Sequence, residues 1–252
     1  MSSTQPANLK PLRHRAWVKT THWLITLSFL LLAFTGFEIL MVHPRLYWGE
    51  SGNDLTPALF ELPISRNYKH EGWKDQQAFF ASQGSPVSAS RTYEIFNQNG
   101  WGRSLHFLSA WFLVLTGLVY FVVGFATGHF GKNLWPRSGE RNWSAWRKEV
   151  ANHFRLRIPQ ASGGPQYSLL QRTSYLAVVF VLFPLMVVTG FTMSPAITAA
   201  FPFLLDLFGG YQSARTIHFF ASVALELFLI IHIVMIIASG FKKQIRAMTI
   251  GI

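Results

Sequence analysis

Two histidines, His218 and His232, interrupt the long apolar run between residues 215 and 239. A spacing of 14 residues makes about 3.9 helical turns, so both imidazoles leave a helix on nearly the same face, roughly 21 Å apart along its axis. The run is long enough to cross a bilayer, which takes about 20 apolar residues. Coordinating side chains inside a membrane are rare and usually functional. The spacing therefore predicts two centres, one near each membrane surface.

Two further histidines lie near the starts of other apolar runs, His22 in the first and His106 in the second. Because successive spans cross in opposite directions, His22 is expected at the level of His232, and His106 at the level of His218. A six-coordinate haem takes one axial ligand from each side of the porphyrin, and histidines on facing helices supply both. The pattern predicts two bis-histidine haems b. For any one of these histidines, a hydrogen bond to a neighbouring helix is the ordinary alternative.

The ligand types disfavour other metal chemistry. A carboxylate-bridged di-iron bundle needs several inward glutamates and a Glu-x-x-His motif, and zinc or copper transport leads one to expect more Asp, Glu, Cys or Met on the pathway. The chain contains no cysteine, which excludes thiolate iron–sulfur ligation and covalent C-x-x-C-H haem attachment. The other histidines fall in tails, loops or span ends and are interpreted as surface or interface residues: His14, His43, His70, His129 and His153.

Three basic residues each precede a proposed ligand by three positions: Lys19, Arg103 and Arg215. That offset keeps each of them near the ligand face and about one turn nearer the surface. Haem propionates are anionic, and arginine can bind a carboxylate with two hydrogen bonds. We therefore predict that these residues contact the propionates. A general excess of cytoplasmic cations accounts for Lys19 equally well, but not for the two arginines.

Three more residues inside the spans are of interest, and one of them, Gly36, could adjoin a cofactor. Gly36 follows His22 by 14 residues, on the same face but at the opposite level. A glycine there either lets a flat haem lie against the backbone or permits a close helix contact, and the sequence does not choose between these. Glu226 either relays a proton or accepts a hydrogen bond from another helix. Glu38, near the outer end of the first span, is expected to snorkel or to cap.

Four apolar runs carry these residues, in a chain of 252 residues of which 50% are hydrophobic and 13% charged. Runs of this length are typical of membrane proteins, and the predicted spans are 18–42, 105–126, 175–193 and 217–239. Segments 1–20, 127–172 and 241–252 hold 15 of the 22 Lys and Arg. By the positive-inside rule, both termini and the basic loop 127–172 are cytoplasmic, and loop 43–103 is periplasmic. The fold class is thus an all-α integral membrane four-helix bundle, one membrane domain over 1–252.

The placement of the charge favours a collar against the anionic inner leaflet over a nucleic-acid surface, so membrane lipid is expected as a partner and nucleic acid is not. Within the basic loop, Trp143, Trp146, Val150 and Phe154 recur at helical spacing. This recurrence predicts an amphipathic helix on that leaflet, and a solvated loop is the alternative.

The remaining connections are also informative. Loop 43–103 is rich in aromatic residues and long for a connector, so it is either a docking surface for an external partner or a cap packed on the bundle. The third span has no histidine, and Pro184 is expected to kink it. Residues 195–211 are too short for a fifth span and are expected to be interfacial or re-entrant.

With these residues assembled, the chain resembles the four-helix dihaem cytochrome b subunits of bacterial formate dehydrogenases, nickel–iron hydrogenases and thiosulfate-reductase-type complexes. The stretches most like the thiosulfate-reductase-type branch are RHRAWVKTTHW, HPRLYWGE, GRSLHFLSAWF and GGYQSARTIHF. The resemblance implies that His106 with His218 hold the periplasmic haem and His22 with His232 the cytoplasmic haem. It also implies a quinone near the cytoplasmic haem and a periplasmic oxidoreductase subunit, often molybdopterin-dependent.

We therefore expect a multi-pass protein of the bacterial inner membrane that transfers electrons between the quinone pool, ubiquinone or menaquinone, and a periplasmic redox enzyme. It is expected to be the electron-transfer subunit and not the catalytic one, because the redox chemistry belongs to the cofactors. Lys19, Arg172 and Tyr175, at the cytoplasmic ends of the first and third spans, are the candidate quinone contacts. Two alternatives stay open: a self-sufficient quinol-linked membrane oxidoreductase, and a haem-free transporter with a histidine relay.

Overall fold

The computed structural model describes residues 14–52, 56–64, 99–140, 142–154 and 168–250. In this part of the chain, four helices are long and apolar enough to cross a membrane: Ala16–Val42, Trp101–Ala126, Leu169–Thr192 and Tyr211–Ala238. The shortest has 24 residues, about 36 Å at the usual helical rise, and so exceeds the ~30 Å hydrocarbon core. Each helix overlaps one predicted span. The predicted all-α integral membrane four-helix bundle is confirmed.

The apolar runs form helices because a helix satisfies its own backbone polar groups, which lipid cannot do. In chain order, the described elements are α1 (Ala16–Val42), β1 (Arg45–Leu46), β2 (Phe60–Glu61), α2 (Asn99–Ala126), α3 (Trp143–Phe154), α4 (Leu169–Ala177), α5 (Phe183–Thr192), α6 (Pro195–Ala200), α7 (Phe203–Phe208), α8 (Tyr211–Ala238) and α9 (Phe241–Met248). The two short strands pair antiparallel, with Leu46 opposite Phe60.

The chain forms two compact units, each with its own internal contacts. Unit 1 comprises Met1–Trp23, Gly117–Val181 and Leu227–Ile252, and unit 2 comprises Leu24–Thr116 and Leu182–Glu226. Each of the four long helices contributes residues to both units. The four span histidines divide evenly: unit 1 contains His22 and His232, and unit 2 contains His106 and His218.

The third long helix changes its hydrogen-bonding pattern just before its proline. α4 begins with a capping box, in which the side chain of Ser168 accepts from the backbone N–H of Gln171 and the side chain of Gln171 accepts from the backbone N–H of Ser168. A π-helical segment, Val178–Leu182, then joins α4 to α5, whose second residue is Pro184. Proline has no N–H and clashes with the carbonyl four residues earlier. The widened turn accommodates both defects.

In unit 2, the segment after α1 is fixed to the start of α8. The backbone N–H groups of Gln212 and Ser213 donate to the carbonyl of Gly49, at 2.9 and 3.2 Å. The N–H of Gly49 donates to the hydroxyl of Ser213 at 2.7 Å, and the hydroxyl of Thr216 donates to the carbonyl of Tyr47 at 2.6 Å. The first N–H groups of a helix have no acceptor within the helix. Gly49 therefore caps α8 through its carbonyl.

The described part of loop 43–103 thus packs on unit 2, as a cap would. Residues 53–55 and 65–98 lie outside the described residues, and with them lie most of the aromatic side chains behind the predicted docking surface. Residues 195–211 contain two helices of six residues each, α6 and α7. A helix of six residues rises only about 9 Å, so neither crosses a bilayer.

In unit 1, α3 occupies the place of the predicted amphipathic helix. Asn142 caps it, because its side-chain oxygen accepts from the backbone N–H of Ala145 at 2.7 Å. Trp143 is 75% exposed, whereas Trp146 and Val150 are half-buried. The side chain of Phe154 lies outside the described residues. A tryptophan exposed on this helix is consistent with a face that meets lipid.

An ion pair whose arginine is buried also holds unit 1 together. Arg172 is 3% exposed, and its Nη2 donates to Oε2 of Glu140 at 2.6 Å. Burial alone raises the pKa of Glu140, but hydrogen bonds from the backbone N–H of Arg137 and from the Arg172 guanidinium outweigh it and hold that pKa below its ordinary value. The fold therefore binds the ionised carboxylate in preference to the neutral acid.

Glu140→Gln is expected to lower the melting temperature of the purified protein at pH 7, because Arg172 stays buried and loses its charged partner. The pKa of Glu140 is lower in the folded protein than its ordinary value of 4.5. Its contribution to stability is therefore present above that pH and is lost as pH falls through the folded pKa. Thermal unfolding should show the gap between variant and wild type narrowing in acid. A gap that is independent of pH would contradict this account.

A second prediction concerns the contact between Gly210 and Gly49. Gly210 has φ +114°, and a Cβ added there would lie 2.5 Å from the carbonyl carbon of Gly49. Gly209 has φ +68° and no atom within 4 Å of such a Cβ. Gly209→Ala should cost about 1–2 kcal/mol of stability through backbone strain alone. Gly210→Ala should cost at least about 1 kcal/mol more, because Gly49 must move away from α8. Melting temperatures in detergent test this, and equal losses would refute it.

Candidate functional site

In unit 1, the imidazoles of His22 and His232 lie close together. Their ring centroids are 6.5 Å apart and the ring planes make an angle of 52°. A metal–nitrogen bond is about 2.0 Å long, and the nitrogen of an imidazole lies about 1 Å from the ring centroid. Two imidazoles that bind one metal ion from opposite sides therefore have centroids about 6 Å apart. The separation in unit 1 therefore suits two ligands on opposite sides of one metal ion.

Aromatic rings surround this pair. Phe228, one turn before His232 on α8, stacks on it at 5.7 Å and 15°, and Tyr175 meets His232 edge-on at 6.0 Å. Trp23 meets His22 edge-on at 5.3 Å. Ring contacts of these distances are typical of packed aromatic clusters. Packing therefore orients both imidazoles in unit 1.

In unit 2, His106 lies against two consecutive residues of α1. Its Nδ1 is 2.9 Å from the hydroxyl oxygen of Thr35. Gly36 lies beside the same ring, because a Cβ added at Gly36 would be 3.5 Å from Cε1 of His106. A larger residue at Gly36 would press on the imidazole or on whatever lies next to it. The glycine thus adjoins the proposed ligand of its own unit.

The same arrangement recurs at His218. Its Nδ1 is 2.8 Å from the hydroxyl oxygen of Thr189 on α5, and a Cβ added at Gly190 would be 3.6 Å from its Cε1. His106 and His218 belong to the same compact unit. Unit 2 therefore contains two imidazoles, each with a threonine at Nδ1 and a glycine beside the ring.

The residues present fit a haem better than a metal ion held by protein ligands alone. Within the described ranges, no group of three or more His, Asp or Glu side chains could hold a metal ion. A porphyrin supplies four nitrogens itself, so two axial imidazoles complete the coordination. Gly36 and Gly190 lie beside the rings of unit 2, and a residue without a side chain lets a flat macrocycle approach the backbone.

The three cations predicted to contact propionates differ in their surroundings. Arg103 is exposed, one turn before His106. The Arg215 guanidinium donates to the backbone carbonyls of His43 and Arg45, the latter at 3.1 Å. Lys19 donates from Nζ to the carbonyl of Thr249 at 3.1 Å. Arg215 and Lys19 thus also hold the chain together, a role that the sequence did not suggest.

Of the residues predicted to contact quinone, Tyr175 has its ring against His232, a proposed haem ligand. The Arg172 guanidinium instead bonds Glu140 and, at 3.4 Å, the carbonyl of Trp135. Unit 1 also contains an apolar cavity of about 270 Å³, and Leu176, the residue after Tyr175, is one of the residues that line it. Its lining is aromatic, aliphatic and glycine: Gly124, Phe125, Gly128, Phe130, Gly131, Trp135, Leu176 and Phe180.

The prediction that Glu38 snorkels is wrong, because the side chain is 1% exposed. Its carboxylate occupies the space above Gly102, where a Cβ would lie 1.5 Å from Oε2. The glycine of the GRSLHF stretch therefore makes room for a buried acid one turn before His106. Glu226, by contrast, has an exposed side chain.

Two histidines interpreted as surface residues form part of a cluster at one end of unit 1. The ring of Trp17 lies 5.2 Å from that of His129 and 5.6 Å from that of Tyr120. Burial, followed by the charges of Arg15 and His14, lowers the pKa of His129. Burial, followed by the charge of Lys19, lowers the pKa of His14. Both rings are therefore neutral at pH 7.

The threonines at the unit 2 imidazoles were missed from the sequence. The third span has no histidine, so it received no part in the site. A signal was nevertheless present, because the tripeptide T-G-F occurs at residues 35–37 and again at residues 189–191. In the structure, the Thr and Gly of each copy contact one imidazole of the pair.

Comparison with known proteins shows the family of this chain. Residues 13–251 match the family described as prokaryotic cytochrome b561. A protein of Azospira oryzae with the provisional name protein-methionine-sulfoxide reductase subunit YedZ1 is 24% identical over 223 residues, which cover 88% of this chain and 89% of that protein. No solved structure matches the chain significantly. The chain therefore belongs to the prokaryotic cytochrome b561 family and is a haem b-binding, multi-pass electron-transfer subunit of the bacterial inner membrane.

Proposed function

We propose that this chain is a dihaem cytochrome b that carries electrons between the quinone pool and a periplasmic redox enzyme. Each compact unit holds one pair of span histidines, and the two members of a pair lie on different helices. This observation supports the proposal most directly. His106 with His218 would hold one haem, and His22 with His232 the other. Each haem, when bound, supplies a one-electron oxidation and reduction of its iron.

The chain itself contributes ligation, spacing and charge. In unit 1, the 6.5 Å separation of the ring centroids leaves space for one metal ion between His22 and His232. In unit 2, Gly36 and Gly190 place no side chain beside the imidazoles of His106 and His218. Arg103, Arg215 and Lys19 lie one turn from three of the ligands, where they would neutralise the propionates. Of these, the exposed side chain of Arg103 is the most accessible.

The proposed quinone site is in unit 1, beside His232. Oxidation of a quinol releases two electrons and two protons, so the site needs a path to a haem and polar groups near the headgroup. Tyr175 offers a hydroxyl and a ring in contact with His232. The apolar cavity that begins at Leu176 suits an isoprenoid chain, because it is lined without charged groups. Lys19 and Arg172 are weaker candidates, since both already bind other groups of unit 1.

The proposed partner is a periplasmic oxidoreductase subunit, and we infer that it is molybdopterin-dependent. The relative from Azospira oryzae is named as a subunit of a methionine-sulfoxide reductase, so an electron-transfer chain of this family serves an oxidoreductase there. Unit 2 exposes apolar side chains outside the spans, with Trp48 61%, Leu59 52% and Phe60 47% exposed. Exposed apolar groups of this kind are typical of protein interfaces.

Two alternatives were open from the sequence. Membership of a haem b family removes the haem-free histidine relay. A self-sufficient quinol-linked oxidoreductase without a partner is the remaining alternative. Under this alternative, the purified chain alone must transfer electrons from quinol to an external acceptor. Reduction of an added redox dye does not count as such a transfer. Absence of that activity, together with restoration by the periplasmic subunit, would favour the two-component function.

The purified protein is expected to bind two haems b per chain, measured by the pyridine haemochrome assay. His218→Ala should lose only the unit 2 haem and His22→Ala only the unit 1 haem, because their pairs lie in different units. His43→Ala is the control, since its side chain is exposed. One haem in the wild type would refute the dihaem assignment, and loss of both haems in either variant would contradict the proposed pairing.

Tyr175→Phe is expected to slow the reduction of haem by a quinol at least about tenfold, because the hydroxyl near the headgroup is lost while the ring contact with His232 remains. Reduction by dithionite should be unchanged. Tyr211→Phe, the same change in unit 2, serves as the control. Stopped-flow spectroscopy with a water-soluble quinol measures the rate, and an unchanged rate would move the quinone site away from Tyr175.

A further inference from the structure

We propose that Thr35 and Thr189 are positioning residues that fix the tautomer of the two unit 2 imidazoles and lower the midpoint potential of the haem they hold. The inference rests on the proposed function, because it takes His106 and His218 as the axial ligands. Neither threonine would touch the metal. Each would act through the hydrogen bond between its hydroxyl oxygen and Nδ1 of a histidine.

The direction of each hydrogen bond follows from counting protons. A threonine hydroxyl has one hydrogen and two acceptor lone pairs. The hydroxyl of Thr35 donates to the carbonyl of Leu31 at 2.7 Å, and that of Thr189 donates to the carbonyl of Leu185 at 2.7 Å. With its only hydrogen committed to the helix, each hydroxyl can only accept at the imidazole. The proton of each neutral ring therefore lies on Nδ1.

This assignment leaves Nε2 as the lone-pair nitrogen of both rings. A neutral imidazole carries a proton on one nitrogen and a lone pair on the other, and the partner of the first decides which nitrogen can bind a metal. Both imidazoles are thus preset to coordinate through Nε2, before any metal arrives.

The surroundings keep these bonds strong. Thr35 and Thr189 are both 0% exposed, so no bulk water competes for the imidazole N–H groups. Hydrogen bonds are electrostatically stronger where the local dielectric is low. An N–H donated to an oxygen raises the basicity of the coordinating nitrogen. A more basic ligand stabilises the oxidised iron, which carries the higher charge, and therefore lowers the midpoint potential.

Other threonines of the spans show what is distinctive about this pair. Thr192 of α5 is 1% exposed, and its hydroxyl donates to the carbonyl of Val188 at 2.9 Å. It thus shares the burial and the helix contact of Thr189, three residues away, but its hydroxyl makes no hydrogen bond to an imidazole of the described residues. Thr192→Val is therefore a matched control for the loss of a buried hydroxyl.

The test compares Thr35→Val and Thr189→Val with Thr35→Ser, Thr189→Ser and Thr192→Val in the full chain loaded with haem. Valine keeps the shape of threonine and removes the hydroxyl, whereas serine keeps the hydroxyl. Spectroelectrochemical titration should show an upward shift of one of the two midpoint potentials in the valine variants. The EPR signal of one low-spin ferric haem should shift with it. The serine variants and Thr192→Val should match the wild type.

Unchanged potentials and EPR signals in both valine variants would overturn the proposal. If the valine variants fail to accumulate with haem, proton ENDOR on the oxidised wild type decides instead. An exchangeable, hydrogen-bonded Nδ1 proton on both axial ligands of one haem supports the proposal, and its absence contradicts it. Failure of the proposed function is separate, because His106→Ala and His218→Ala would then leave both haems in place.

Discussion

The distance between two facing imidazoles is the constraint on which the rest of this protein depends. Two rings can bind one metal ion from opposite sides only when their centroids are about 6 Å apart. Unspecific packing between helices would not hold two imidazoles at that distance. Unit 1 fixes its rings by aromatic packing, with Phe228 and Tyr175 against His232. In unit 2, Nδ1 of each imidazole lies within hydrogen-bond distance of a threonine hydroxyl. The two units thus orient their imidazoles by two kinds of interaction.

The fold could be predicted from the sequence because its main signal is local. A run of about 20 apolar residues indicates a membrane helix wherever it occurs, and the four runs correspond to the four long helices. The starts of the helices were harder to predict. α8 begins at Tyr211, earlier than the apolar run, because the carbonyl of Gly49 caps it from a distant part of the chain. α4 begins at Leu169 because Ser168 and Gln171 cap each other.

The candidate site was only partly predictable, for a related reason. Histidines inside apolar runs are conspicuous, so the four proposed ligands could be selected and paired by helical geometry. Their neighbours depend on contacts between distant residues, which a single sequence does not reveal. Thr189 lies on a span without histidine. Nothing in the sequence indicates that the carboxylate of Glu38 lies against Gly102, where a Cβ would otherwise be. The charge of Arg215 suggested an anionic ligand, yet its guanidinium also binds backbone carbonyls.

The fastening of residues 43–49 to the start of α8 has a mechanical consequence. Arg215 and Thr216 bind carbonyls of this segment. His218 lies within the next turn of the same helix, α8. A helix is stiff along its axis, because its backbone hydrogen bonds resist compression. The exposed indole of Trp48 lies near the end of this segment, beside Gly49. A partner that displaced the segment would therefore shift the start of α8, the helix that carries His218.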